Sequence, residues 1–116
     1  MKSFFQSVRY ALHGVWSGID DQLNLKVQIA IATIVIGAGF LFKITATEWC
    51  IVLICIGLVL GLELMNSAIE SLVDLVTLER KPLAGRIKDI AAGAVLVVSI
   101  VSVIIGVIIF RKYVLQ

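Results

Sequence analysis

The sequence predicts an all-α integral membrane protein, with an N-terminal amphipathic surface helix followed by three transmembrane helices. Three observations predict it. Hydrophobic residues make up 60% of the chain and the mean hydropathy is +1.08, against about 45–50% apolar in ordinary soluble domains. Only 16% of residues are charged, and they are bunched. Between the bunches lie three long apolar stretches. A water-soluble fold of 116 residues has too little interior to hide this much apolar surface, so the bilayer is the expected solvent for one domain spanning 1–116.

The first element covers residues 3–19. Phe4, Phe5, Val8, Ala11, Leu12, Val15, Trp16 and Ile19 recur at steps of three and four, while Ser3, Gln6, Arg9, His13 and Ser17 fill the opposite face. This is a helix with an aromatic-rich apolar side, suited to the membrane interface; packing on the rest of the protein is the alternative for the same face. Asp20 and Asp21 interrupt the pattern.

The first span covers 25–43, with a charge-free core over 27–42 and Lys26 and Lys43 placed to snorkel. A turn over 44–47 follows, and Thr47 is the expected N-cap of the next helix. The second span covers 48–74 and begins with Trp49 at interface depth. Its uniformly apolar part, 49–62, is too short to cross alone, so the helix must continue through Glu63, Asn66, Glu70 and Asp74. Gly57 and Gly61 form a small-xxx-small pair that admits a close helix neighbour. Residues 77–81 form a polar connection ending at Pro82, and the third span covers 87–110, with a charge-free run over 90–110 closed by Arg111 and Lys112.

Lys2, Arg9, Lys26, Arg80, Lys81, Arg86 and Lys88 fall on one side of this arrangement and Lys43, Arg111 and Lys112 on the other. That bias places the N-terminus and the 75–87 connection in the cytoplasm and the C-terminus outside. A net charge of +2, dispersed along the chain, argues against nucleic acid as the main partner. No small-residue cleavage site follows the first apolar run, so no secretory signal is expected. Cys50 and Cys55 lie five residues apart and point to opposed sides of their helix, which predicts buried small hydrophobes rather than a disulfide or a metal site.

Chemistry concentrates at the end of the second span. At about 100° per residue, Glu63, Asn66, Glu70 and Asp74 share a wedge of roughly 80°. Carboxylates at this depth cost several kcal/mol unless they meet partners, water or metal. Their oxygen ligands suit Mg²⁺, which arrives with phosphate, and one carboxylate is available to accept a proton. For Asp74 a solvated helix end explains the residue equally well; for Glu63, directly after an apolar run, it does not. Lys88 offers a point charge for phosphate, with Asp89 beside it to orient it or to bind through a metal. Such a site, carrying both signs at the cytoplasmic interface, can join a water-soluble nucleotide to a lipid head group. No Walker-type loop and no protein-kinase signature occurs in the chain.

Glu63, Asn66-Ser67-Ala68-Ile69-Glu70 and Asp74, followed by Gly85-Arg86 and Lys88-Asp89, closely resemble the signature of the prokaryotic diacylglycerol kinase family, which includes the undecaprenol kinases. The likeness extends over nearly the whole chain. It implies a small homotrimeric helical bundle in the bacterial cytoplasmic membrane, with active sites built from more than one subunit, that transfers the γ-phosphate of Mg-ATP to a lipid alcohol. Carried over by position, Glu63 is the general base and Asn66 supports the site, while Glu70 holds Mg²⁺ on the nucleotide. Lys88 and Asp89 contact the phosphates, and Tyr10 and the Glu79–Lys81 segment touch the nucleotide. Asn24, Leu25, Gln28 and Ala92 fall where the lipid binds.

The chain departs from the family pattern at two of these positions. Lys81 stands where the family carries histidine, and Gln22 where it carries a second metal-binding glutamate. An amide oxygen ligates Mg²⁺ without adding charge, and the adjacent Asp21 is the alternative ligand. Ala91-Ala92-Gly93-Ala94 resembles the undecaprenol branch and Gly85-Arg86 the diacylglycerol branch. A proton-coupled homo-oligomeric transporter is the competing function, and it calls for a carboxylate near the midplane and usually four spans.

Overall fold

Four helices account for nearly all of the described chain in the computed structural model. It describes residues 2–116, with side chains from Ser3 onward; Lys2, counted above among the cations of one face, lies outside the described side chains. The helices are α1 (Lys2–Asp21), α2 (Leu23–Phe42), α3 (Ala46–Val76) and α4 (Pro82–Val114). The last three are long and apolar enough to cross a membrane, by length and composition.

Helix α1 continues through Asp20 and Asp21, where the sequence suggested a break. Aspartate lowers helix propensity by well under about 1 kcal/mol, so two exposed aspartates do not end a helix. The break falls one residue later, at Gln22, whose backbone is extended (φ −113°, ψ 115°). Over most of its length the apolar side of α1, with Phe4, Phe5, Leu12 and Trp16, is exposed. Within this chain that face therefore has no packing partner, as an interfacial helix requires. Contact with the other helices comes at its C-terminal end. A Cβ added to Gly18 would lie 2.6 Å from the Leu64 side chain, so α1 lies against α3 one residue from Glu63.

Helices α2 and α3 form a tight hairpin. Lys43 takes up the left-handed conformation (φ 53°), and the amides of Lys43 and Ile44 close back on the carbonyls of Phe40 and Gly39. The N-cap of α3 is Thr45, not the expected Thr47. Thr45 stands three residues before Glu48, and only that spacing makes a capping box. The Thr45 Oγ1 accepts from the Glu48 amide at 3.2 Å, and the Glu48 carboxylate accepts from the Thr45 amide at 3.0 Å.

That carboxylate also binds α4. Its Oε2 lies 2.6 Å from the Lys112 ammonium, and its Oε1 accepts a short hydrogen bond from the Tyr113 hydroxyl. Phe42 stacks on Tyr113 and packs beside Phe110, while Ile44, Val52 and Ile109 form the small buried core beneath. This end of the bundle is closed by apolar packing and a fully partnered ionic group.

Within this chain, the close helix approach falls at a position other than Gly57 and Gly61. Both glycines are exposed, with nothing within 4 Å of an added Cβ, because they face away from α2 and α4. Gly39 is the true contact, where a Cβ would come within 2.7 Å of the Trp49 ring. Cys50 and Cys55 are free thiols, and neither is fully buried. Cys50 is exposed on an apolar helix surface, where the bilayer, rather than protein, makes it a suitable position for a small hydrophobe.

The polar connection follows expectation. The Thr77 hydroxyl accepts from the Glu79 amide, the Lys81 amide donates to the Glu79 carbonyl, and Pro82 opens α4 at its first turn, where its missing N–H costs nothing.

Candidate active site

The opposite end of α3 is built differently. By helical rise, Glu63 lies about 25 Å from the start of α3, toward the far boundary of a hydrocarbon layer about 30 Å thick. It is only 3% exposed, and Asn66, one turn on, is 7% exposed. Glu70 is half-buried and Asp74 exposed, so the predicted stripe emerges gradually from the bundle.

Each member of the stripe meets a different partner. The Gln28 side-chain amide donates to Glu63 at 3.4 Å, across the α2–α3 hairpin. Asn66 donates to Glu70 at 3.5 Å. Asp74 holds the Lys88 ammonium at 2.7 Å. The residue that orients Lys88 is therefore Asp74 rather than its neighbour Asp89, which is exposed and forms no ion pair among the described residues. Nearly two turns into α4, Lys88 reaches Asp74 on the last turns of α3, whereas Asp89 is rotated about 100° away.

The first two hydrogen bonds are long, and they leave buried polar atoms without partners. Gln28 Oε1, Asn66 Oδ1 and Ser67 Oγ are such atoms among the described residues. An unpartnered buried acceptor costs about 1–3 kcal/mol, so these oxygens of α2 and α3 are available to a polar ligand or to water. Gln28 was legible as a lone amide in an apolar span, but its pairing with Glu63 depends on hairpin register and was not.

The oxygen donors suit a hard divalent cation. Gln22 precedes Gln28 by about as much helical rise as Glu70 follows Glu63, roughly 10 Å, so in the antiparallel hairpin Gln22 and Glu70 stand at one level. Glu70 and the neighbouring Asn66, joined by their hydrogen bond, offer one carboxylate and one amide oxygen on α3, and Gln22 carries a further amide at that level. No cluster of three or more His, Cys, Asp or Glu occurs among the described residues. A cation held here must therefore draw further oxygens from water and substrate phosphate, as Mg²⁺ does.

Glu79, Arg80, Lys81, Lys88 and Asp74 surround a cleft of about 480 Å³ between the α3 terminus and the first turns of α4. Lys81 pairs loosely with Glu79 at 3.8 Å, and both are well exposed, so either is free to turn toward a ligand. Tyr10 is 70% exposed on α1 and does not line that cleft; Asn24 and Ala92 are exposed, and Leu25 is buried at the α1–α2 corner beside Gly18. The structure thus brings together Gln28 with Glu63, Asn66 with Glu70, and Glu79, Lys81 and Lys88 around one cleft. Tyr10, Asn24, Asp89 and Ala92 stay on outer surfaces.

Comparison with known proteins gives a consistent result. Residues 9–110 match the family described as prokaryotic diacylglycerol kinase. The chain is 42% identical over 110 residues to the undecaprenol kinase of Bacillus subtilis, covering 95% of this chain and 89% of that protein. It is 33% identical over 105 residues to the diacylglycerol kinase of Haemophilus influenzae, covering 90% and 89% respectively. It is 40% identical over 101 residues to the diacylglycerol kinase of Synechocystis, covering 86% of this chain and 58% of that protein.

Proposed function

The chain belongs to the prokaryotic diacylglycerol kinase family, and from that premise we propose that it is a membrane lipid kinase transferring the γ-phosphate of Mg-ATP to the hydroxyl of a lipid alcohol, either diacylglycerol or undecaprenol. The observation that carries the chemistry is Glu63. It is a carboxylate almost wholly removed from solvent, held by one long hydrogen bond, near the boundary of a membrane helix.

The lipid hydroxyl approaches Glu63 from the bilayer. Glu63 accepts the hydroxyl proton as the oxygen attacks the γ-phosphorus in line, the bond to the β-phosphate oxygen breaks, and ADP leaves into water. Lys88, held by Asp74, stands beside the cleft that takes the nucleotide and offsets negative charge on the phosphates. Glu79 and Lys81 line the same cleft. Glu70 and Gln22, with the free oxygen of Asn66, would hold Mg²⁺, which when bound supplies charge neutralisation at the β- and γ-phosphate oxygens. Asp89 and Tyr10 act on the nucleotide from outside this cleft, and Asn24, Leu25 and Ala92 flank the lipid.

The site end faces the cytoplasm of the bacterial inner membrane, where ATP is found, and the working unit is a homotrimer. Support for an assembly of several copies comes from the apolar faces of the three long helices that this chain leaves exposed, and the resemblance sets the number of copies at three. A proton-coupled transporter draws less support, since three helices rather than four are able to cross a membrane among the described residues, and the carboxylates gather toward one end.

The test is transfer of radiolabelled γ-phosphate from Mg-ATP by the purified protein in mixed micelles, with diacylglycerol and undecaprenol offered in parallel. Label on either lipid, abolished in a folded Glu70→Ala protein, is the expected result. No transfer to either lipid, by wild type or by Gln22→Glu, would remove the kinase reading.

A further inference from the structure

Between Lys26 and Lys43, α2 carries two polar side chains, Gln28 and Thr33. The Thr33 hydroxyl is spent inside its own helix, where it donates to the Ile29 carbonyl at 2.8 Å. Gln28 is spent across the hairpin, with Nε2 donating to Glu63 Oε2 at 3.4 Å. No second donor reaches that carboxylate among the described residues, so its other oxygen, Oε1, is free. The level at which the two residues meet is set from α1. A Cβ added to Gly18 would lie 2.6 Å from the Leu64 side chain and 3.5 Å from that of Leu25. Leu64 follows Glu63, and Leu25 stands three residues before Gln28 and is 1% exposed. One glycine of α1 therefore seats both leucines, and with them α2 and α3 at the level where Gln28 meets Glu63.

We propose that Gln28 is a positioning residue for the base: its amide holds Oε2, fixes the plane of the Glu63 carboxyl group, and so commits Oε1 to the proton of the lipid hydroxyl. The inference rests on the lipid-kinase reading and adds one residue to its proton transfer. In that step the lipid O–H bond breaks and its proton goes to Oε1, while the lipid oxygen bonds to the γ-phosphorus. Gln28 neither gains nor loses an atom. Its donor suits both ends of the step. Before transfer Oε2 belongs to a carboxylate and afterwards to the carbonyl of a carboxylic acid, and each accepts from an amide N–H. A lysine in its place would be a partner for the anion alone.

The length of the contact fits this role, since hydrogen bonds to a catalytic base are often long before substrate binds and tighten in the reacting complex. The other use of an amide between membrane helices is to join them. A glutamine serving only that purpose is expected to bond at both ends of its amide. Gln28 bonds at one end, and its Oε1 is buried with no partner among the described residues. Glu63 alone orients it.

The test is a double-mutant cycle on phosphate transfer by the purified protein in mixed micelles, using Gln28→Met, Glu63→Gln and the two together. Methionine keeps the length of glutamine and removes its hydrogen bonds. Gln28→Met is expected to lower kcat about ten- to hundredfold, the scale of one hydrogen bond to a charged group. KM for ATP and KM for the lipid should stay unchanged. In the Glu63→Gln background the same substitution should cost nothing more. A second readout is the infrared carboxylate stretch of Glu63, identified by its loss in Glu63→Gln, which should shift in Gln28→Met. If Gln28→Met does not fold, Gln28→Asn takes its place, because an amide one methylene shorter falls short of Oε2.

Equal losses in the two backgrounds would overturn the proposal, and so would an unmoved carboxylate band. A raised KM for the lipid with kcat held would overturn it too, and would make Gln28 a contact of the lipid instead. Lower thermal stability with kcat per folded protein unchanged would leave Gln28 a helix-packing residue and no more. Transfer by the wild type with Gln28→Met unaffected sinks only the positioning role, whereas absence of transfer by the wild type sinks the kinase reading beneath it.

Discussion

At one end of α3 the Glu48 carboxylate is met by the Thr45 amide, the Tyr113 hydroxyl and the Lys112 ammonium. Toward the other end the Glu63 carboxylate, more deeply buried, is met by one amide at 3.4 Å. Both glutamates lie on the same helix in the same kind of membrane segment, yet one is saturated with partners and the other nearly bare. A saturated ionic group fixes geometry, because every alternative arrangement loses bonds. A bare one keeps its lone pairs for a ligand. The difference teaches that burial of a carboxylate does not by itself mark a reactive site; the count of its partners does.

The sharpest way to break that comparison is Glu63→Gln. It removes the charge and keeps the shape, so the helix contacts stay in place while the proton acceptor is lost. The expected outcome is a rate of phosphate transfer lowered by about 10²–10⁴, in a protein whose thermal unfolding in micelles is unchanged or raised. Wild-type turnover in a folded Glu63→Gln protein would show that the bare carboxylate is not the base.

Gln22 tests the same end at a smaller scale. Replacing its neutral amide oxygen by a carboxylate in Gln22→Glu should lower the Mg²⁺ concentration for half-maximal activity by roughly tenfold. A Mg²⁺ titration of the transfer rate measures it. An unmoved titration would place the second ligand at Asp21 or on another subunit.

A still smaller effect belongs to Asp74, whose link to Lys88 is partly exposed. Exposed ion pairs are worth about 0.2–1 kcal/mol, so Asp74→Asn should raise KM for ATP by up to about fivefold and leave kcat close to wild type. If instead kcat fell and KM held, Asp74 would touch the reacting groups directly.

How much of this was legible in the sequence follows from the range of each signal. The periodicity of α1, the three apolar runs and the acidic stripe over Glu63, Asn66, Glu70 and Asp74 are local patterns on single helices, and the helices formed where those patterns lie. Pairings across helices were not legible. Gln28 with Glu63, Asp74 with Lys88 and Glu48 with Lys112 and Tyr113 span from 14 to 65 residues of chain, and each depends on hairpin register. The capping error had a local cause that spacing exposes: Thr45 stands three residues before Glu48 and Thr47 only one. Gly57 and Gly61 meet no helix of this chain, since a small-xxx-small pair says that a helix can approach and not which one does, and their exposed face is open to a neighbouring copy.

Glu48 supplies the last test, from the closed end. Glu48→Ala removes the acceptor of the Thr45 amide, the hydroxyl partner of Tyr113 and the counter-charge of Lys112 in one step. Lys112 is half exposed and regains water, so the losses fall mainly on the α3 cap and on the docking of the α4 C-terminus beside Phe42. Glu48→Gln keeps an acceptor for the cap, since glutamine also serves at that position of a capping box, and should lose less. The expected order of thermal stability in micelles is wild type, then Glu48→Gln, then Glu48→Ala. Transfer rates per folded protein should be the same for all three, because Glu63 and Gln28 lie at the far end of the hairpin from this cluster. A fall in rate that outran the fall in folded fraction would mean that the closed end sets the register in which Gln28 meets Glu63, and that the two ends of α3 are one device rather than two.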